Sequence, residues 1–231
     1  MKLGDRFERL NALATIASAS RYLEIGVAKG ATFDRVNIPY KVGVDPKFKC
    51  DVSARSNGNT VFHEVTSDVF FTTLAHEHGT FDLIYLDGLH TFEQTLRDFC
   101  ASLRHAHART IWLLDDTVPT DWWAARPRRD LAWRLRRRFG PKRKGWMGDV
   151  YKVVFVIHDF FPQFSYATFP NHGQTVIWPE TRWNFTPTWN SLEKISRLGY
   201  RDFQRYRDSH MAIMGAAEIL EAVEQSRVTS R

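Results

Sequence analysis

The feature that most constrains this chain is a series of short apolar runs, each closed by glycine or by an acidic residue. Tyr22-Leu23-Glu24-Ile25 ends at Gly26. Lys41-Val42-Gly43-Val44 ends at Asp45 and Pro46. Thr60 to Val65 leads into Thr66-Ser67-Asp68, Phe81 to Leu86 ends at Asp87, and Arg109 to Leu114 ends at Asp115-Asp116. Runs of this length, with β-branched and aromatic residues and turn formers at their ends, read as strands. Near-continuous apolarity, rather than strict alternation, marks strands buried on both faces. They recur roughly every 20–30 residues with helical patterns between them, which predicts an α/β fold with a doubly wound parallel sheet and helices on both faces.

The connecting segments fit that plan. Asp5 to Ser18 carries Phe7, Leu10, Leu13 and Ile16 at helical spacing. Ala31 to Val36 reads as a short helix stopped by Pro39. Thr91 and Gln94 form a capping box for a helix running towards Leu103. After Asp116 the pattern breaks. Tyr151 to His158, with Val153, Val154, Val156 and Ile157, is expected to resume as a strand, and Gln174 to Trp178 as another. Pro162 and Pro170-Asn171-His172-Gly173 suit an antiparallel excursion, and Ala212 to Gln225 a closing helix. The expected organisation is one domain over 1–231, with a basic insert at 117–149 and an aromatic extension at 179–231.

The loop Glu24-Ile25-Gly26-Val27-Ala28-Lys29-Gly30 sits where a strand turns into a helix, the end of such a sheet that binds ligands. It resembles the first motif of class I methyltransferases, E-x-G-x-G-x-G, with Ala28 at the middle glycine; an alanine is tolerated there if φ stays negative. The resemblance implies S-adenosylmethionine as cofactor and a seven-stranded, mostly parallel sheet in the order 3-2-1-4-5-7-6 with an antiparallel last strand. It also implies that Asp45, ending the second strand, meets the ribose hydroxyls, and that Ser67 and Asp68 stand beside adenine. Glu24, Gly26, Ala28, Gly30, Asp45, Ser67, Asp68 and Asp87 are therefore the expected cofactor-binding residues.

In a doubly wound sheet the fourth and fifth strands are neighbours, so Asp87, Asp115 and Asp116 converge. Three like charges either shift their pKa values or attract a cation. Oxygen donors in this number suit Mg²⁺, which would hold a substrate hydroxyl and lower its pKa. His90 and Asp87 are the candidates for catalytic proton transfer. The run Phe81 to Phe99 is similar to the fourth motif of the bacterial metal-dependent macrolide and aminocoumarin sugar O-methyltransferases. In those relatives and in catechol O-methyltransferase, metal ligands come from these two strand ends. Trp146, Asp149 and Lys152 resemble the stretch leading into the sixth strand of that group and are substrate-side candidates. The alternatives stay open: Asp116 as a helix cap, His90 as a backbone-satisfied histidine, and Asp149 paired with Lys152.

Charge is concentrated. Residues 120–145 carry eight Arg and two Lys against two Asp, a local +8 within a chain of net +6. Trp122, Trp123, Trp133 and Trp146 accompany them. Arg and Trp together suit an anionic small-molecule or glycan acceptor; a buried helix face through Leu131, Leu135 and Phe139 is the plainer reading. Nucleic acid is disfavoured, because the rest of the chain is slightly acidic. The aromatic extension reads as a pocket cover or a self-association surface. Two scattered cysteines, Cys50 and Cys100, and the lack of a long apolar run predict a cytoplasmic protein without a signal peptide or a membrane span. The expected function is transfer of a methyl group to a hydroxyl with a divalent metal. The alternatives are metal-independent O- or N-methylation, or a non-catalytic binding module.

Overall fold

The computed structural model describes residues 3–130, 145–170 and 173–229. Seven strands form one sheet in the order β3-β2-β1-β4-β5-β7-β6. They are β1 (Arg21–Ile25), β2 (Tyr40–Val44), β3 (Thr60–His63), β4 (Leu83–Leu86), β5 (Ile111–Leu114), β6 (Phe164–Thr168) and β7 (Thr175–Pro179). The first five are parallel. β7 runs antiparallel to both β5 and β6. This is the predicted doubly wound order.

Alternation along the strands divides the core. Leu23, Ile25, Ile84, Leu86, Trp112 and Leu114 face one side, where helices α2 (Phe92–Ser102) and α3 (Tyr151–Phe160) pack. Tyr22, Leu83, Tyr85 and Leu113 face the other, against α1 (Arg6–Ala17) and α6 (Ala216–Thr229). Between α3 and α6 lie α4 (Leu192–Arg197) and α5 (Tyr200–His210). The buried seam of α1 is Leu10, Leu13, Ala14 and Ala17 together with Arg9. Phe7 and Ile16 sit at its margin, and Arg35 covers the Phe7 ring.

Three expectations are corrected. Tyr151–His158 is the body of helix α3, not a strand. Its residues 151–157 are all buried, so no polar face betrays the period, and β-branched content pointed the wrong way. The sixth strand is instead Phe164–Thr168, a short sheet-edge segment of mixed polarity. Ala31–Val36 forms only a 3₁₀ turn at Phe33–Arg35. The closing helix begins at Ala216 rather than Ala212, whose φ is +46°. Leu131, Trp133, Leu135 and Phe139 of the basic insert, and Asn171 and His172, lie outside the described residues. Among the described residues, no helix is long and apolar enough to cross a membrane.

Candidate active site

Strand register sets the site. Ile25 pairs with Leu86, and Leu86 with Leu114, so Gly26, Asp87 and Asp115 follow side by side at the C-terminal edge of the sheet. Gly26 has φ +96°, and a Cβ there would lie 2.0 Å from the carbonyl oxygen of Asp87. Only glycine lets the end of β1 lie this close to the end of β4.

A cavity of about 600 Å³ opens at this edge, within the range of small-molecule sites. Of the expected cofactor residues, Gly26, Ala28, Asp45, Ser67, Asp68 and Asp87 line it. Asp45 fastens the loop: one carboxylate oxygen accepts from the Ala28 N–H at 2.8 Å and the other from the Lys47 N–H at 2.8 Å. Ala28 adopts φ +49°, so the loop keeps a left-handed turn at this position despite the Cβ. That conformation is held by Asp45 and by the Lys49 N–H, which donates to the Ala28 carbonyl at 2.8 Å.

Two expected residues stand outside the cavity wall. Gly30 packs against the Arg55–Asp34 ion pair. Glu24 is buried in β1 and accepts a 2.6 Å hydrogen bond from the Tyr22 hydroxyl. Burial pushes its carboxyl up to about 8, against the opposing pull of that hydrogen bond.

The wall formed by Ser67 and Asp68 holds a residue whose place the sequence did not reveal. The Thr91 hydroxyl accepts from the Gln94 N–H, as a helix cap does. The Gln94 side chain does not complete the capping box. It turns to the cavity, where its amide donates to Ser67 Oγ at 3.2 Å, Asp68 Oδ1 at 3.1 Å and Asp98 Oδ1 at 3.0 Å.

Asp87, Asp115 and Asp116 come from the adjacent ends of β4 and β5, and they take different partners. Asp116 sits at φ +57°, a left-handed conformation that an aspartate tolerates and that functional sites collect. Its Oδ2 lies 3.1 Å from Nδ1 of His90. His90 Nε2 is 3.9 Å from Asp87 Oδ1, and Trp146 meets the imidazole edge-on with ring centroids 5.5 Å apart. Gly148, at φ +64°, lets this segment approach the backbone; a Cβ there would collide with the His90 carbonyl oxygen. Burial pulls the His90 pKa down, which favours the neutral ring. Burial and then the Asp115 charge push Asp116 up to about 8, and the same two causes hold Asp87 well above the usual carboxylate range.

Asp115, beside that trio, takes two further partners. Its Oδ1 accepts from Gln174 Nε2 at 3.0 Å, and its Oδ2 pairs with the Arg6 guanidinium at 2.7 Å, a close charge contact without hydrogen-bond alignment. Arg6 also reaches Asp87 Oδ2 at 3.2 Å, which the Tyr85 hydroxyl approaches at 3.3 Å. Burial opposes the Arg6 charge, but Asp115 and its neighbours outweigh it and raise the pKa. Among the described residues, the ligand-forming atoms that come within 4.8 Å of one another belong to Asp87, His90 and Asp116. Of the expected carboxylate trio, Asp87 and Asp116 stand with His90, while Asp115 is engaged by Arg6 and Gln174.

A second cavity, about 870 Å³, lies on the far side of Arg6 and Trp146, which line both spaces. Asp116 opens onto it, and Tyr200, Phe203, Gln204 and Arg207 close it from α5. Part of the aromatic extension therefore covers this pocket. Asp149 and Lys152 border neither large cavity. They pair at 2.8 Å, and Asp149 also accepts from the Phe92 N–H while Lys152 donates to the Ser196 carbonyl.

Comparison with known proteins agrees with this geometry. Residues 23–117 match the profile of a methyltransferase domain family. That segment, from β1 to just past β5, is similar to a methyltransferase domain. An O-methyltransferase from Bacillus cereus in complex with S-adenosylhomocysteine superposes with a TM-score of 0.55 at 15% identity, over 78% of this chain and 84% of that one. A candidate O-methyltransferase from Klebsiella pneumoniae gives 0.55 at 17%, over 78% and 82%. The O-methyltransferase TomG from Streptomyces achromogenes, in complex with S-adenosylmethionine, gives 0.50 at 16%, over 74% and 77%. These likenesses establish the shared fold. Among curated proteins no sequence match is found.

Proposed function

We propose that this protein is a class I methyltransferase that moves the methyl group of S-adenosylmethionine to a hydroxyl oxygen of a small-molecule or sugar acceptor, with a divalent cation at the acidic cluster. The observation that carries the reading is the pair of cavities meeting across Asp87, His90 and Asp116. The donor occupies the cavity of Gly26, Ala28 and Asp45, with adenine against Ser67, Asp68 and Gln94. The acceptor enters the larger cavity between Trp146 and α5.

Two carboxylates and an imidazole fit a divalent ion that accepts both oxygen and nitrogen donors, Mn²⁺ more readily than Mg²⁺. Asp87, His90 and Asp116 would hold it, and when bound it supplies Lewis acidity to the acceptor hydroxyl. The chain's own part is positioning and proton transfer. The acceptor oxygen forms a bond to the methyl carbon as the carbon–sulfur bond breaks, and S-adenosylhomocysteine leaves with the electron pair. The hydroxyl proton passes to the Asp87–His90–Asp116 group. Trp146 and α5 exclude water from the transferring methyl.

A second reading has its own support. Arg6 already neutralises part of the cluster, and neutral His90 can then serve as the base without a cation. Incubation with S-adenosylmethionine and a panel of hydroxylated acceptors, with and without EDTA, separates the two. Formation of S-adenosylhomocysteine that EDTA abolishes and Mn²⁺ restores supports the cation reading. Full turnover in EDTA supports the second. No turnover with any hydroxylated acceptor would contradict both.

A further inference from the structure

Arg6 is placed with unusual care for a residue in the first turn of a helix. Glu8 accepts from the Gly4 N–H at 2.7 Å and the Asp5 N–H at 3.0 Å, which fixes the start of α1. Three residues on, Arg9 is buried and donates to Gln174 Oε1 at 2.9 Å, while Gln174 Nε2 holds Asp115. The helix start and the strand-end carboxylate are thus locked together by two routes, through Arg6 directly and through Arg9 and Gln174. The guanidinium ends between Asp87 Oδ2 and Asp115 Oδ2. The other oxygen of Asp87, Oδ1, is the one that faces His90.

We propose that Arg6 is a resident cation that keeps Asp115 out of the ion-binding set and holds down the affinity of the cluster for divalent metal. Arg6 takes Asp87 Oδ2, which leaves Oδ1, on the His90 side, as the oxygen that would serve an ion. With Arg6 in place, the ion meets two carboxylates, one imidazole and a nearby positive charge. Three carboxylates, one guanidinium and one divalent ion sum to zero, so the cluster accepts a single ion without excess charge. Removing Arg6 takes away the like charge and frees a third carboxylate to turn towards the ion, giving the site more hard-oxygen character. Arg6 is in this sense a positioning residue: it acts through Asp115 and Asp87. The proposal rests on reading the Asp87–His90–Asp116 group as a cation site.

Mn²⁺ titration of the whole chain, followed by the paramagnetic resonance signal of the free ion, tests it without any turnover. Arg6→Gln is expected to bind Mn²⁺ about tenfold or more tightly than wild type. Arg6→Lys keeps the charge and is expected to stay near wild type. Arg6→Gln combined with Asp115→Asn is expected to lose most of the gain. Circular dichroism melts on each variant confirm folding, and Arg6→Lys with Asp115→Asn alone stands in if Arg6→Gln does not fold: an unchanged affinity in both supports the proposal, and a marked loss in Asp115→Asn overturns it. Binding to Arg6→Gln but not to wild type supports the role of Arg6 while removing the cation from the proposed function. Equal binding to both overturns the role of Arg6 and leaves the cation reading standing. No binding to either overturns both.

Discussion

Glu24 gives a prediction that can be worked through numerically. It lies within β1 with only 1% of its surface exposed, and its carboxyl is pushed up to about 8 from an ordinary 4.5. Below pH 4.5 the group is protonated in the folded and unfolded chains alike, so it makes no difference to stability. Between 4.5 and 8 the unfolded chain releases the proton and the folded chain does not. Stability then falls as pH rises, at about 1.4 kcal/mol per pH unit. Above 8 the folded state ionises too and the loss levels off. The whole interval amounts to roughly 4–5 kcal/mol as an upper figure. Glu24→Gln removes the titration and retains an oxygen to accept from Tyr22. Urea unfolding at pH 5, 6, 7 and 8 should show wild type and variant close together at pH 5. The variant should gain steadily, to an advantage of about 3 kcal/mol by pH 8. Parallel profiles across that range would refute the buried, proton-holding Glu24.

Other consequences are simpler to state. Ala28→Gly relieves a left-handed alanine, so it should raise stability by about 0.5–1 kcal/mol, the reverse of the usual sign for this exchange; a lower melting temperature would count against the loop geometry. Lys152→Met leaves Asp149 buried beside an apolar chain and should cost about 3 kcal/mol in urea unfolding, with the affinity for S-adenosylhomocysteine untouched. A large loss of ligand affinity there would move the pair into the site. Gln94→Ala should weaken S-adenosylhomocysteine binding several-fold, by roughly 1 kcal/mol, because Ser67 and Asp68 lose their shared donor; calorimetry with unchanged affinity would contradict that wall.

Much of the sheet was legible because the parallel strands announce themselves. β1, β2, β4 and β5 are largely buried and end in turn formers or acids; their order came from the family resemblance, and the neighbouring ends of β4 and β5 follow from it. Two kinds of information were not local. Tyr151–Phe160 is buried on nearly every side, so hydrophobic periodicity vanished and the β-branched residues decided wrongly. The real edge strand, Phe164–Thr168, carries Ser, Tyr and Thr and gives little apolar signal. The division of labour among the carboxylates depends on Arg6, far away in sequence on a helix that was read for its apolar stripe. Only the packing of α1 on β4 and β5 brings that guanidinium to Asp115. Gln94 was misassigned for a related reason: a capping-box sequence describes a local option, and a stronger set of acceptors across the cavity won.

The central claim is the donor site, and calorimetric titration with S-adenosylhomocysteine tests it most directly. The account predicts saturable one-to-one binding to wild type that Asp45→Ala weakens about tenfold or more, a loss of at least ~1.4 kcal/mol. Asp45 both fixes the Ala28 loop and faces the cavity. Absence of binding to folded wild-type protein, or binding that Asp45→Ala leaves unchanged, would contradict it.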